Sequence, residues 1–293
     1  MFDSIAKDLK YQFQKKHSLL GIIIIINVSI FIILNLAYFI SRVSPVNVYD
    51  FLSEYVFTMN TSWKVAIYRP WTLITTFFSH EGFMHILSNM LGLYYFGTII
   101  DEFLNERRLG SLYFLGGLVS SIMVLLICNL VPYFEQHHAY LIGASGAVFA
   151  ISVAAATIAP DYEFNLILFG PIKIKWIVLV YLFLSFIGTA GANAAGNIAH
   201  LGGAFFGYIY IKQLQRGNDL GRPLIRFTEW VSGLFKKRSP IKVAYRNAKG
   251  SPAPNNTAPN QKEIDDILDK ISRSGYESLT KEEKQKLFKA SQK

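Results

Sequence analysis

Five stretches of this chain contain no Asp, Glu, Lys or Arg and are long enough to cross a lipid bilayer. They cover residues 19–40, 82–100, 109–134, 139–159 and 176–211. About 20 apolar residues span a bilayer as a helix. The last stretch is long enough for two shorter helices, and its Gly- and Ala-rich centre at 188–196 is typical of a turn. The sequence therefore predicts an all-α membrane protein with six spans, near residues 19–40, 82–100, 109–131, 141–159, 173–189 and 196–212.

Charged residues are scarce and unevenly distributed between the loops. They make up 17% of the sequence, whereas a soluble domain usually has about a quarter. Lys and Arg cluster in the two tails, in the loop after the second span and in the loop before the fifth, while the opposite side has only Arg42, Lys64 and Arg69. This distribution predicts that both termini are cytoplasmic. The net charge of +9 suits tails near anionic lipid, and nucleic-acid binding is the weaker interpretation because most basic residues flank spans.

Composition divides the chain into five segments. Residues 1–18 form a cytoplasmic tail and residues 19–212 the six-helix domain, whose first apolar run is too long for a signal peptide and is predicted to stay as a helix. Residues 213–248 are basic and membrane-proximal. Residues 249–261 have the composition of a flexible linker, and residues 262–293 are predicted to form a short, helical, cytoplasmic tail. With Cys128 as the only cysteine, an intrachain disulfide is excluded.

Four polar side chains within the predicted spans are the first candidates for function, because a polar group in hydrocarbon is costly unless it has a partner. They are His85 and Asn89 in the second span, Ser145 in the fourth and His200 in the sixth. These three spans run in the same direction, and each residue lies near the outer end of its span. At 1.5 Å per helical residue the predicted depths are about 5–10 Å, so the four side chains share one layer.

Ser145 and His200 have the surroundings that nucleophilic catalysis needs. A serine hydroxyl is a poor nucleophile until a base takes its proton. Small residues on the sixth span, Gly203 among them, allow it to pack against the fourth and bring His200 to Ser145. Gly143 and Gly146 leave room for a substrate backbone, and a helix that begins near Gly143 would offer unpaired N–H groups to an oxyanion.

The chemistry predicted for this layer is that of a Ser-His dyad. No Asp or Glu lies at the same depth, so a charge-relay triad is not expected. His85 and Asn89 are spaced i, i+4 and share one face of the second span. Their side chains are therefore predicted to donate hydrogen bonds to an oxyanion.

Residues 19–212 resemble the rhomboid family of intramembrane serine proteases in five short motifs that occur in the family's order. The motifs are Arg69-Pro70, His85-Ile-Leu-Ser-Asn89, Glu106-Arg-Arg-Leu-Gly110, Gly143-Ala-Ser-Gly146 and Gly196-Asn-Ile-Ala-His200-Leu-Gly-Gly203. The resemblance implies a rhomboid-like bundle with Ser145 as nucleophile, His200 as general base, and His85 and Asn89 as the oxyanion-binding pair. It also implies cleavage of transmembrane proteins near their outer end, within the bilayer and without metal or cofactor.

Two further residues take roles from the resemblance. His80 matches a histidine that supports the active site in relatives, and Phe149 stands where some relatives have a tyrosine that stacks on the catalytic histidine. The eight residues between Gly97 and Glu106 exceed the usual spacing and predict an extended loop after the second span. The C-terminal extension lies outside the resemblance and its partner is unknown. The resemblance and the compact size imply the bacterial plasma membrane, and an organelle membrane stays open as the alternative.

Other interpretations are weaker. A catalytically inactive rhomboid-like protein that binds transmembrane segments would be expected to lack Ser145 or His200, and both are present. A small transporter would be expected to show ionisable residues near the bilayer midplane or a repeat between its two halves. The sequence shows neither feature. A zinc protease is disfavoured because His80 and His85 are spaced i, i+5 rather than i, i+4, about 140° apart on a helix. Arg69 is interpreted as an anchor of the external loop to lipid headgroups.

Overall fold

Helices occupy all six positions predicted for the spans. The structure is a computed structural model that describes residues 18–135, 139–166, 170–235 and 261–291; the predicted N-terminal tail to residue 17 and nearly all of the predicted linker lie outside these ranges. The long helices of the first unit are α1 (Leu19–Val43), α2 (Phe83–Phe103), α3 (Glu106–Leu130), α4 (Ser145–Ile158), α5 (Ile174–Gly188), α6 (Ala194–Gln215) and α7 (Arg222–Phe235). Of these, α1, α2 and α3 are long and apolar enough to cross a membrane, and α4 and α5 are shorter apolar helices.

The predicted extended loop after the second span is wrong. Helix α2 continues to Phe103, so only Leu104 and Asn105 separate it from α3. Residues 101–103 lengthen the helix by nearly one turn beyond the predicted span. Asn105 makes the sharp reversal with φ of 127° and caps α3 by accepting a hydrogen bond from the Arg108 amide at 3.1 Å.

Helix α4 lies at the centre of the bundle, in contact with α2, α3, α5 and α6. Its residues are small, and nine of the fourteen are buried. The predicted close packing of the fourth and sixth spans is confirmed: a Cβ built on Gly203 would lie 1.9 Å from the Gly146 carbonyl oxygen, and one on Gly207 would lie 2.1 Å from the Ala150 carbonyl oxygen. Only glycine allows backbones to approach this closely.

The segment between α1 and α2 folds into short helical turns that contact one another. They are Val48–Asp50, the π-helical Phe51–Phe57, Trp63–Ala66, Thr72–Thr75 and the 3₁₀ turn Thr76–Phe78. Arg69 donates to the Glu54 carbonyl at 2.9 Å and lies over the Tyr55 ring at 3.8 Å. Its guanidinium thus holds the external loop together, rather than serving only as the predicted contact to headgroups.

Two short antiparallel sheets modify the all-α prediction. Strand β1 (Met59–Asn60) pairs with β2 (Tyr140–Leu141), which ties the external loop to the segment before α4. Strands β3 (Glu163–Leu166) and β4 (Gly170–Lys173) form a hairpin between α4 and α5. At its base Asp161 accepts hydrogen bonds from Lys175 and Lys173, which lower the pKa of the carboxyl.

The second unit comprises residues 237–293, of which 261–291 are described. It contains α8 (Gln261–Ser274), the 3₁₀ turn Tyr276–Ser278 and α9 (Lys281–Ser291). The predicted capping box is confirmed: the Thr280 amide donates to Glu283 Oε2 at 2.7 Å, and the Glu283 amide donates to Thr280 Oγ1 at 3.3 Å. Lys270 on α8 pairs with Glu283 at 2.9 Å and links the two helices.

Candidate active site

Ser145 is the first residue of α4, not a residue one turn inside the helix as the spans predicted. The chain reaches it through β2 and a tight turn at Gly143 and Ala144. The first helical hydrogen bond runs from the Val148 amide to the Ala144 carbonyl at 2.9 Å. The amides of Ser145 and Gly146 therefore have no acceptor within the helix and lie beside the Ser145 side chain.

Gly143 occupies a position that requires glycine. Its φ is +126°, which side chains with a Cβ rarely adopt. A Cβ here would lie 2.8 Å from the Nε2 atom of His85 and 3.8 Å from the Ser145 hydroxyl. The empty side of Gly143 is thus where the His85 ring and the Ser145 hydroxyl approach each other. The Gly143 amide donates to the Thr76 carbonyl at 3.0 Å, so it is not available to an oxyanion.

Two neighbours fix the His200 ring. Phe149 stacks on it with ring centroids 4.2 Å apart and planes 4° from parallel. On the other side, the hydroxyl of Ser185 on α5 lies 3.0 Å from His200 Nδ1. Ser185 is only 4% exposed, so this hydrogen bond is shielded from solvent. With Nδ1 engaged, Nε2 is the nitrogen that can exchange a proton with another group.

The stacking contact also shows which way His200 faces. Ser145 and Phe149 are spaced i, i+4 and lie on the same face of α4. His200 packs against that face through Phe149. The described residues contain no hydrogen bond between the Ser145 hydroxyl and His200, and such catalytic contacts commonly tighten only when substrate is bound.

His85 and Asn89, the predicted oxyanion-binding pair, have different surroundings. The His85 ring borders Gly143 and the turn that precedes Ser145. Asn89 is 5% exposed and donates one amide hydrogen to the His85 carbonyl at 2.8 Å, which leaves its second amide hydrogen for another acceptor.

His80 supports His85 from the loop before α2. It is 3% exposed and meets His85 edge to face, with ring centroids 5.2 Å apart. Neither ring nitrogen of His80 has a hydrogen-bond partner in the described part of the chain. Burial, with a smaller effect from the adjacent His85, lowers the pKa of His80 to about 3. The ring is therefore neutral at physiological pH.

Acid is expected to destabilise the fold through His80. In the unfolded chain this side chain takes up a proton near pH 6.5, but in the folded state only near pH 3. Between these values the unfolded state binds the extra proton, so stability falls as pH falls. The unfolding midpoint of His80→Asn protein in detergent should drop less than that of wild type between pH 7.5 and pH 5. Equal drops would contradict this.

Ser185 was not predicted from the sequence, although a signal for it exists. It is the only serine in a fifth span made largely of aliphatic and aromatic residues. The rule that polar groups in hydrocarbon mark function applies to it, but one hydroxyl is cheap to bury and can bond to its own helix. Only its contact with His200 distinguishes it from an ordinary helix serine.

Comparison with known proteins gives two family matches. The family described as Rhomboid domain matches residues 68–216, and a family of unknown function (DUF6576) matches residues 255–293. The first match covers the external loop from Tyr68 and all of α2 to α6, including every candidate residue above.

Curated relatives match over about half of the chain. RHOMBOID-like protein 12, mitochondrial, of Arabidopsis thaliana is 33% identical over 171 residues, which are 51% of this chain and 48% of the relative. Rhomboid-like protein 16, chloroplastic, of the same plant is 31% identical, covering 51% and 50%. Presenilin-associated rhomboid-like protein A, mitochondrial, of Danio rerio is 28% identical, covering 60% and 45%. The matched part thus amounts to half or less of each of these relatives.

Proposed function

This chain belongs to the rhomboid family, and we propose that it is an intramembrane serine endopeptidase that cleaves transmembrane proteins near the outer end of their spans. The observation that carries the proposal is the arrangement around α4. Ser145 begins the helix, Phe149 lies one turn later on the same face, and the His200 ring stacks on Phe149. The family also includes inactive rhomboid-like proteins, so activity needs a direct test.

In the proposed mechanism His200 is the general base. Its Nδ1 atom contacts the Ser185 hydroxyl and its ring stacks on Phe149, so Nε2 is the nitrogen left to accept a proton from Ser145. Nε2 takes the Ser145 proton as Oγ attacks the scissile carbonyl, and returns it to the leaving amine. In the second half of the reaction, His200 Nε2 takes a proton from water as the water attacks the acyl carbonyl, and returns it to Ser145 Oγ as the ester bond breaks.

The oxyanion is stabilised by groups fixed before the reaction. The Ser145 and Gly146 amides at the start of α4 point donors toward the nucleophile's turn, and the helix dipole favours negative charge there. His85 and the second amide hydrogen of Asn89 complete the proposed set. The absence of a side chain at Gly143 lets the His85 ring lie beside the Ser145 hydroxyl, because a Cβ there would come within 2.8 Å of His85 Nε2.

A substrate helix is proposed to enter between α2 and α5. Within the described residues these two helices make almost no contact with each other, whereas each packs against α4. Most of α5 is exposed, including Phe183, Leu184 and Phe186. A lateral opening between the second and fifth spans would lead directly to the face of α4 that carries Ser145.

Labelling with a fluorophosphonate probe tests the proposal. Purified, detergent-solubilised wild type should be labelled and should cleave a generic transmembrane substrate, while Ser145→Ala should do neither. Ser152→Ala is the matched control, because Ser152 lies buried further along α4 and its hydroxyl bonds the Val148 carbonyl at 2.7 Å. Absent labelling together with an uncut substrate in wild type would favour the inactive rhomboid-like binder of transmembrane segments.

The chain is a membrane protein, and its arrangement in the membrane is part of the proposal. We propose six spans with both termini cytoplasmic, and the bacterial plasma membrane as the location. The relatives named above carry mitochondrial and chloroplastic in their names. Membrane fractionation of the tagged chain in its source cells distinguishes these membranes, and reporter fusions after each helix test the orientation.

A further inference from the structure

Helix α7 has two unlike faces. Phe227, Trp230 and Leu234 are spaced i, i+3, i+7 and are 57%, 62% and 64% exposed. Arg222, Arg226 and Glu229, spaced i, i+4, i+7, form a neighbouring stripe about 100° further round the helix. In a protein with membrane spans, an exposed face of this composition is typical of a helix that lies in the interface plane, with its aromatic side in the acyl region.

The charged stripe of α7 faces a cavity of about 630 Å³. The cavity lies where α3 begins, α6 ends and α7 starts, at one end of the bundle. It is lined by Asn105, Arg107, Arg108, Leu214, Gly217, Asp219, Arg222, Ile225, Arg226 and Glu229. Four arginines thus meet two carboxylates around one space.

The carboxylates neutralise only half of this charge. Arg108 pairs with Asp219 at 3.2 Å, and Arg107 pairs with Glu229. Arg222 and Arg226 have no acidic partner among the residues that the structure describes. Two unpaired guanidinium groups one helical turn apart suit a phosphate group, which accepts paired N–H donors from arginine.

We propose that α7 and this cavity bind an anionic phospholipid. The lipid phosphate lies between Arg222 and Arg226, and its acyl chains follow Phe227, Trp230 and Leu234. A phospholipid supplies both a phosphate for the arginines of the cavity and hydrocarbon for the adjacent exposed face. The proposal depends on the chain's membrane location and not on protease activity.

Lipid retention by the full-length protein tests this site. Native mass spectrometry of the detergent-solubilised chain compares phosphatidylglycerol with phosphatidylcholine of identical acyl chains. At about fivefold for each basic residue near a phosphate, wild type should prefer the anionic lipid by roughly 25-fold. The double variant Arg222→Gln, Arg226→Gln should lose most of that preference, and its binding of phosphatidylcholine should fall less, because the choline cation offsets the charge of that lipid's phosphate.

Controls separate this site from charge in general and from a soluble ligand. Arg42→Gln with Lys64→Gln removes two basic residues from the other predicted side and should keep the preference. The double variant Trp230→Ala, Leu234→Ala should weaken the binding of both lipids by the same factor. Equal retention of both lipids by wild type would overturn the proposal. So would displacement of the lipid by millimolar inorganic phosphate, because the cavity would then be a site for a soluble anion.

Discussion

Replacing His200 by alanine is expected to lower kcat by about 10²–10⁴-fold, the range that a positioned general base usually contributes. The protein should still fold, because His200 is partly exposed. The variant loses only the stacking contact with Phe149 and the hydrogen bond with Ser185. KM should change little, because the ring acts on the serine proton rather than on substrate binding. Cleavage of a transmembrane substrate in detergent or liposomes provides both constants.

Ser185→Ala distinguishes the base from the residue that positions it. Losing one buried hydrogen bond costs about 1 kcal/mol, so kcat should fall by roughly tenfold or less. Ser185→Thr keeps a hydroxyl and should recover most of that loss, whereas a purely structural role would make the bulkier threonine the worse variant. If His200→Ala cleaved at the wild-type rate, the base would have to be another group and Ser185 would have no catalytic role.

Gly203→Ala is expected to destabilise the protein by about 3 kcal/mol or more, the upper end of what overpacking costs. The added Cβ would lie 1.9 Å from the Gly146 carbonyl oxygen. The atom it meets belongs to a backbone in the centre of the bundle, so neither helix can yield locally. Separation of α4 from α6 would also draw His200 away from Ser145, and activity should be lost along with stability. Thermal unfolding in detergent measures the first effect.

Gly92→Ala is the matched control for that substitution. Gly92 also lies in a long helix that packs against α4, but its added Cβ would meet only the Val148 Cγ1 atom at 3.0 Å. A side-chain tip can move by a few tenths of an ångström, and alanine favours helix over glycine. The net effect should be small. Equal destabilisation by both substitutions would show that contact with backbone is not the cause.

The long helices were predictable because the signals for them are local. Runs without charge and the Gly-Ala turn at 188–196 place α1 to α6 to within a few residues. The extension of α2 to Phe103 was missed for a related reason: charged residues such as Asp101 and Glu102 end an apolar run but do not end a helix. The end of a membrane span is set by where charged residues begin, whereas the end of a helix is set by where its backbone hydrogen bonds stop.

The residues of the candidate site stand out in the sequence, but the contacts between them do not. Ser145, His200, His85 and Asn89 are polar groups in apolar surroundings, which the sequence displays directly. That Ser145 opens α4 depends on β1 pairing with β2, between segments about 80 residues apart. That Ser185 holds His200 depends on how α5 and α6 are rotated about their axes. Neither contact can be predicted from the residue pattern of one strand or one helix alone.

The pairing of Met59–Asn60 with Tyr140–Leu141 also bears on the order of events during synthesis. A ribosome adds about 5–20 residues per second, so the external loop waits roughly 4–16 s for its partner strand. His200 emerges 55 residues after Ser145, once all the other candidate residues have been made. In the proposed mechanism, the serine lacks its general base His200 until then. If Ser145 and His200 act as proposed, the nascent chain is inert toward the other membrane segments that accompany it at the insertion site.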